Sequence, residues 1–161
     1  MEIKLWPEFM KGYVQLFESK EGYDVIIQAG EEPNVQEIYA HFIILCCQSK
    51  YFRSNLKKKR NGMFILKISN IPPKILKNIF RFIYCGEIDL SVEAVDIVTL
   101  LTTANKFELK SLVVHIQEFL IDNHKEFIKN NVTKFLNDNT FENFVLIRNY
   151  CLEIIHVTSN D

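Results

Sequence analysis

Residues 41–52 read HFIILCCQSKYF. Ile44, Leu45, Tyr51 and Phe52 supply the apolar positions of a helix expected over 41–56, which halts at the charge run Lys57, Lys58, Lys59, Arg60 and the turn pair Asn61 and Gly62. Upstream of it, Tyr23–Gln28 is a β-branched run of strand length. Gly30, Pro33 and Asn34 then supply turn chemistry before a second short strand, Val35–Tyr39. Downstream, Met63–Ser69 predicts a third strand, and Pro72 and Pro73 suit the start of a helix over about 72–85 with Gly86 at its C′ position. Leu5, Phe9, Tyr13, Leu16 and Phe17 recur at three- and four-residue steps and predict a leading amphipathic helix over 5–20 that Gly22 ends. Beyond Ser91, a plausible N-cap, the pattern is helical throughout. One helix ends near Lys106, and others are expected over 108–123, 125–137 and 141–156. Strands early and helices late predict an α+β fold, a small sheet flanked by helices and followed by further C-terminal helices.

The chain has 161 residues, which suits one principal core with a short helical annex. With 48% hydrophobic and 24% charged residues, 5 Gly and 4 Pro, it is neither disordered nor of low complexity. A formal charge of -1 provides no global field to draw the chain onto nucleic acid or an anionic membrane, and neither partner is expected. No stretch reaches the roughly 18 to 20 apolar residues of a membrane span. Met1–Met10 carries Glu2, Lys4 and Glu8 where a signal peptide would be apolar, so an intracellular protein, cytoplasmic or nuclear, is expected. Cys46, Cys47, Cys85 and Cys151 lack the spacing of a disulfide framework or zinc site and are read as reduced core thiols.

Three segments together resemble the BTB/POZ family. Asp24 and Val25 on the opening strand, then His41, Leu45, Ser49 and Phe52, are similar to the family's H-x-x-x-L-x-x-x-S-x-x-F helix. Ile68 to Asp89 resembles its strand, Pro-started helix and Tyr-x-Gly ending through Ile71, Pro72, Phe82, Tyr84, Gly86 and Ile88. Leu100, Leu101, Ala104, Phe107, Leu109 and Leu112 resemble its L-L-x-x-A-x-x-F-x-L-x-x-L pattern. The resemblance implies a BTB/POZ domain over 1–122, including an N-terminal dimerisation helix, and the start of a BACK-like helical extension over 123–161. It implies a non-catalytic protein-interaction module that homodimerises and adapts substrates to a cullin-RING ubiquitin ligase, with no cofactor or metal. The alternative it allows is a dimerisation scaffold or transcriptional repressor that does not engage cullin. The chain ends at Asp161 with no substrate-recognition domain, so either a longer parent or a short competing form is expected.

For the dimer interface the resemblance nominates Trp6, Phe9, Tyr13, Leu16, Phe17 and Asp24, and for a groove that receives the cullin N-terminal domain it nominates Phe52, Leu56, Lys58 and Tyr84. An aromatic stripe of that size must be buried somewhere, against a second copy or against its own core. Two departures stand out. Phe42 follows His41 where many members carry Lys or Arg, which deprives Asp24 of an expected basic partner. Lys58 occupies the place where cullin-binding members show the glutamate of a hydrophobic-x-Glu motif, whose apolar position Leu56 fills. His41 has no ligand at metal spacing and reads as a structural hydrogen-bonding residue. The run Lys57–Arg60 reads as a solvated turn, with a nuclear localisation signal or a phosphate contact as alternatives. No nucleophile, base and orienting group cluster, and no glycine loop could cradle a phosphate, so catalysis is not expected.

Overall fold

The computed structural model describes residues 1–59 and 61–158; Arg60 of the basic run and the terminal Asp161 lie outside the described residues. The chain divides into two compact units, Met1–Asp89 and Leu90–Asp161.

The first unit is built on a three-stranded sheet in the order β2-β1-β3, with β1 at Val25–Ala29, β2 at Gln36–Ala40 and β3 at Phe64–Ile68. β1 pairs antiparallel with β2, Ile27 opposite Ile38, and parallel with β3, Ile27 opposite Leu66. Val25, Ile27 and Ala29 point into the core while Ile26 and Gln28 do not, as the two-residue period of a half-buried sheet requires. Gly30 closes β1 at φ +85°, a left-handed turn that favours glycine. The helices are α1 (Trp6–Ser19), α2 (Phe42–Gln48), α3 (Lys50–Asn55) and α4 (Pro73–Cys85). Leu45, Phe52, Leu76 and Ile79 are wholly inaccessible, each stabilising the unit by about 1.5 to 3 kcal/mol.

The expected helix over 41–56 is two helices. Ser49 adopts an extended conformation, and its Oγ accepts from the N–H of Phe52, so a serine in mid-run caps a new helix instead of continuing the old one. Arg53 ties the halves together by donating to the Cys46 carbonyl at 2.8 Å. α1 ends not at Gly22 but at Lys20, which takes the left-handed cap at φ 59° with its N–H on the Leu16 carbonyl. The strands lie one or two residues later than Tyr23–Gln28 and Val35–Tyr39, and β3 is one residue shorter at each end than Met63–Ser69.

In the second unit, α5 (Ala94–Lys106), α6 (Lys110–Asn123), α7 (Lys125–Asn130), α8 (Val132–Asn137) and α9 (Val145–Thr158) surround Leu101, Phe107, Ile116, Phe135 and Phe144. Glu93, rather than Ser91, holds the N-cap position of α5. Glu108 cannot open α6 because its φ is 57°; it ends α5 in a left-handed turn, with the Leu109 N–H returning to the Ala104 carbonyl at 2.9 Å. The expected helix over 125–137 breaks at Asn131, whose side chain donates to the Phe127 carbonyl. The segment expected to open a helix at 141 is a 3-10 turn, Asn139–Phe141, ahead of α9. The buried Gln117 and the guanidinium of Arg148, which donates to the carbonyls of Phe135 and Leu136, hold α9 to α6 and α8.

Candidate dimer and partner interface

α1 is amphipathic but buries none of its residues. Its C-terminal half packs on α4, with Tyr13, Leu16 and Phe17 half-buried and the Phe17 ring 5.4 Å from that of Tyr84. Its N-terminal half is different. Trp6 is 61% exposed and Phe9 56%, their rings meet edge to face at 6.1 Å, and Phe9 continues onto Tyr13 at 5.3 Å. An aromatic ladder therefore runs from the unit's own core out into solvent. Beside it, Phe9, Tyr13, Ile43, Cys47 and Phe82 line a groove of about 490 Å³ between α1, α2 and α4. Ile43 was not singled out in the sequence, yet residues 42–46 are apolar all round, and a helix of that kind cannot turn every side to one core.

Asp24, half-buried, sits just before β1, and its Oδ1 accepts from the N–H of Phe42 at 2.7 Å. Its backbone extends the ladder on both sides, donating to the Ala40 carbonyl and accepting from Phe64. The carboxylate thus does from another element what an N-cap does locally, satisfying an orphan donor at the start of α2 where His41 supplies no side-chain cap. Phe42, which stands where a basic residue was expected, stacks on Phe64 at 4.2 Å and 17°.

His41 joins three distant parts of the unit. Its Nε2 lies 2.7 Å from the Glu21 carbonyl, an acceptor only, so that nitrogen carries the proton. In the neutral ring Nδ1 then accepts from the Tyr84 hydroxyl at 2.7 Å, and the same hydroxyl oxygen accepts from the His41 backbone N–H at 2.8 Å. Burial pushes the Tyr84 phenol well above its ordinary pKa, so the hydroxyl keeps the proton it donates. Tyr84→Phe should cost about 1 to 3 kcal/mol, because it strands the buried His41 N–H and leaves Nδ1 without a donor. A urea denaturation midpoint unchanged from the native chain would refute that account.

The residues nominated for a partner groove do not share one surface. Lys58 is exposed, whereas Phe52 is wholly buried against Phe80, and Leu56 and Tyr84 are buried too. The aromatic and aliphatic side chains are consumed by the core and shape the surface from beneath. The Lys58 backbone forms an isolated antiparallel bridge with Phe64, and the Lys59 N–H donates to Met63, which pins the loop. Among the cysteines, Cys46, Cys85 and Cys151 are buried, and desolvation pushes their thiols up. Cys47 departs from the expected core thiol: one step further round α2 than Cys46, it is exposed in the groove. Among the described residues no group of three His, Cys, Asp or Glu side chains could hold a metal ion, and no helix is long and apolar enough to cross a membrane.

The model of the BTB/POZ domain family matches residues 13–124. The BTB domain of zebrafish PATZ1 is similar in structure at 24% identity and a TM-score of 0.59, over 76% of this chain and 99% of that one. The BTB (Tramtrack and Bric a brac) domain of human Gigaxonin is similar at 20% identity and a TM-score of 0.59, over 74% of this chain and 97% of that one. At these identities the two structures establish the shared fold. Compared with curated protein sequences, the chain matches none.

Proposed function

Since the chain belongs to the BTB/POZ domain family, whose domains are interaction and dimerisation modules, we propose that it acts as a homodimerising, non-catalytic adaptor that couples a substrate to a cullin-RING ubiquitin ligase. The observation that carries the homodimer is the aromatic ladder of α1, whose outer rings Trp6 and Phe9 are more than half exposed in the single chain. A second copy would cover them. In this reading the module occupies residues 1–122, residues 123–161 begin a BACK-like extension, and the protein works in the cytoplasm or nucleus. A second reading, a dimerisation scaffold or repressor that leaves cullin aside, is favoured by Lys58, a cation where a cullin-binding member would present an acid.

The two readings part on one titration. If the adaptor reading holds, a cullin N-terminal domain binds the native chain weakly. Lys58→Ala then relieves repulsion, and Lys58→Glu adds a charge-assisted acceptor of about 1 to 3 kcal/mol, roughly a five- to hundredfold gain in affinity. Calorimetry should rank the affinities Glu above Ala above Lys. Absence of binding by all three variants selects the scaffold, and equal affinities would show that this loop does not read the partner.

A further inference from the structure

The near-neutral total conceals a segregated charge. Between Glu37 and Glu87 the chain contains no acidic residue and ten basic ones. Several of these are engaged: Arg53 with the Cys46 carbonyl, Lys77 with Gln36, Arg81 with Glu87. Lys50, Lys57, Lys58, Lys59 and Lys67 are all exposed, and among the described residues their side chains enter no hydrogen bond or ion pair. Three of them are consecutive on a turn whose backbone is fixed by the Lys58–Phe64 bridge and by the Lys59 and Gly62 N–H groups. Fixed like charges with no counter-charge repel one another, and an anionic partner relieves that repulsion.

We propose that the Lys57–Lys59 turn, flanked by Lys50 and Lys67, is a docking surface for an Asp- and Glu-rich peptide segment of a partner protein. A peptide fits better than a nucleic acid for two reasons. Phe64, bridged to Lys58, and Phe42 are stacked on each other and do not offer a pair of free faces for bases. Among the described residues the free cations of this surface are ammonium groups, whereas Arg53 and Arg81, which could fork a phosphate, are already bound. This surface goes beyond the adaptor reading and has the opposite sign: removing lysine charge should strengthen cullin binding but weaken the acidic peptide.

The test is fluorescence anisotropy of the full chain with a fluorescein-labelled decaglutamate peptide at about 50 mM salt, where screening is modest. Saturable binding is expected, and Lys57→Gln/Lys58→Gln/Lys59→Gln should weaken it about tenfold or more. Lys110→Gln/Lys125→Gln/Lys129→Gln, which removes the same charge from the other unit, should weaken it less than about twofold. If the turn triple melts below the native chain, the three single glutamine variants, each expected to weaken binding about twofold, make the same comparison. No binding by the native chain, equal losses in the two triples, or tighter binding of a DNA duplex through the same lysines would each overturn the proposal.

Discussion

Trp6→Asp combined with Phe9→Asp should lower the mass measured by light scattering at micromolar concentration from twice 19.0 kDa to 19.0 kDa. Both rings are more than half exposed in the single chain, so the substitutions cost the isolated fold little. In a two-fold interface each ring would bury on the order of 100 Å² more, about 2.5 kcal/mol, and the interface holds two copies of each. The new carboxylates add a desolvation penalty that separation of the copies avoids. Tyr13 and Leu16 are poorer choices, because they are half-buried against their own α4 and a charge there would loosen the protomer as well. Far-UV circular dichroism of the double variant should match the native chain. A native mass that stays at 19.0 kDa as concentration rises would remove the dimer, and a variant that keeps twice that mass would move the interface away from these rings.

Phe52→Ala should destabilise the first unit by about 3 to 5 kcal/mol, a large share of the roughly 5 to 15 kcal/mol that holds a domain of ordinary size together. Phe52 is fully buried and meets Phe80 edge to face at 5.6 Å, so its loss opens a cavity that α3 and α4 cannot close without moving. Denaturant titration should show the loss whether or not any partner is present. Weakened partner binding by this variant would therefore report a damaged fold, whereas a substitution at Lys58, exposed on the surface, leaves the core intact. Retention of native stability in Phe52→Ala would contradict its core placement.

What was legible in the sequence was periodic or punctuated. The aromatic spacing from Leu5 to Phe17 locates α1, Pro73 and Gly86 bracket α4 almost to the residue, and the β-branched run after Tyr23 marks the central strand. What was hidden depends on groups distant in the chain or on a choice between two local roles. A serine such as Ser49 can sit inside a helix or cap the next one, and only tertiary packing of Phe52 decides it. Glu108 in a left-handed turn carries no glycine to announce it. The partner that Asp24 finds is a backbone N–H eighteen residues on, which no side-chain motif encodes; a missing basic neighbour did not mean an unsatisfied carboxylate. The aromatic stripe splits into an inner half on α4 and an outer half exposed to solvent, and periodicity along one helix says nothing of what its neighbours will cover.

The convergence of Glu21, His41 and Tyr84 on one imidazole and one hydroxyl bears on how the fold is lost as well as on how it is held. The three come from the turn after α1, the residue before α2 and the end of α4, so no single hairpin or helix pair contains the node. Fraying of any one of these elements must break a bond belonging to the other two, which couples them into one cooperative opening unit. The root of α1, packed on α4, therefore shares the protection of the core, while the roughly two turns leading out to Trp6 are free to open on their own. An arm with a locked root and a loose tip can rearrange to meet another copy without the domain beneath it beginning to unfold.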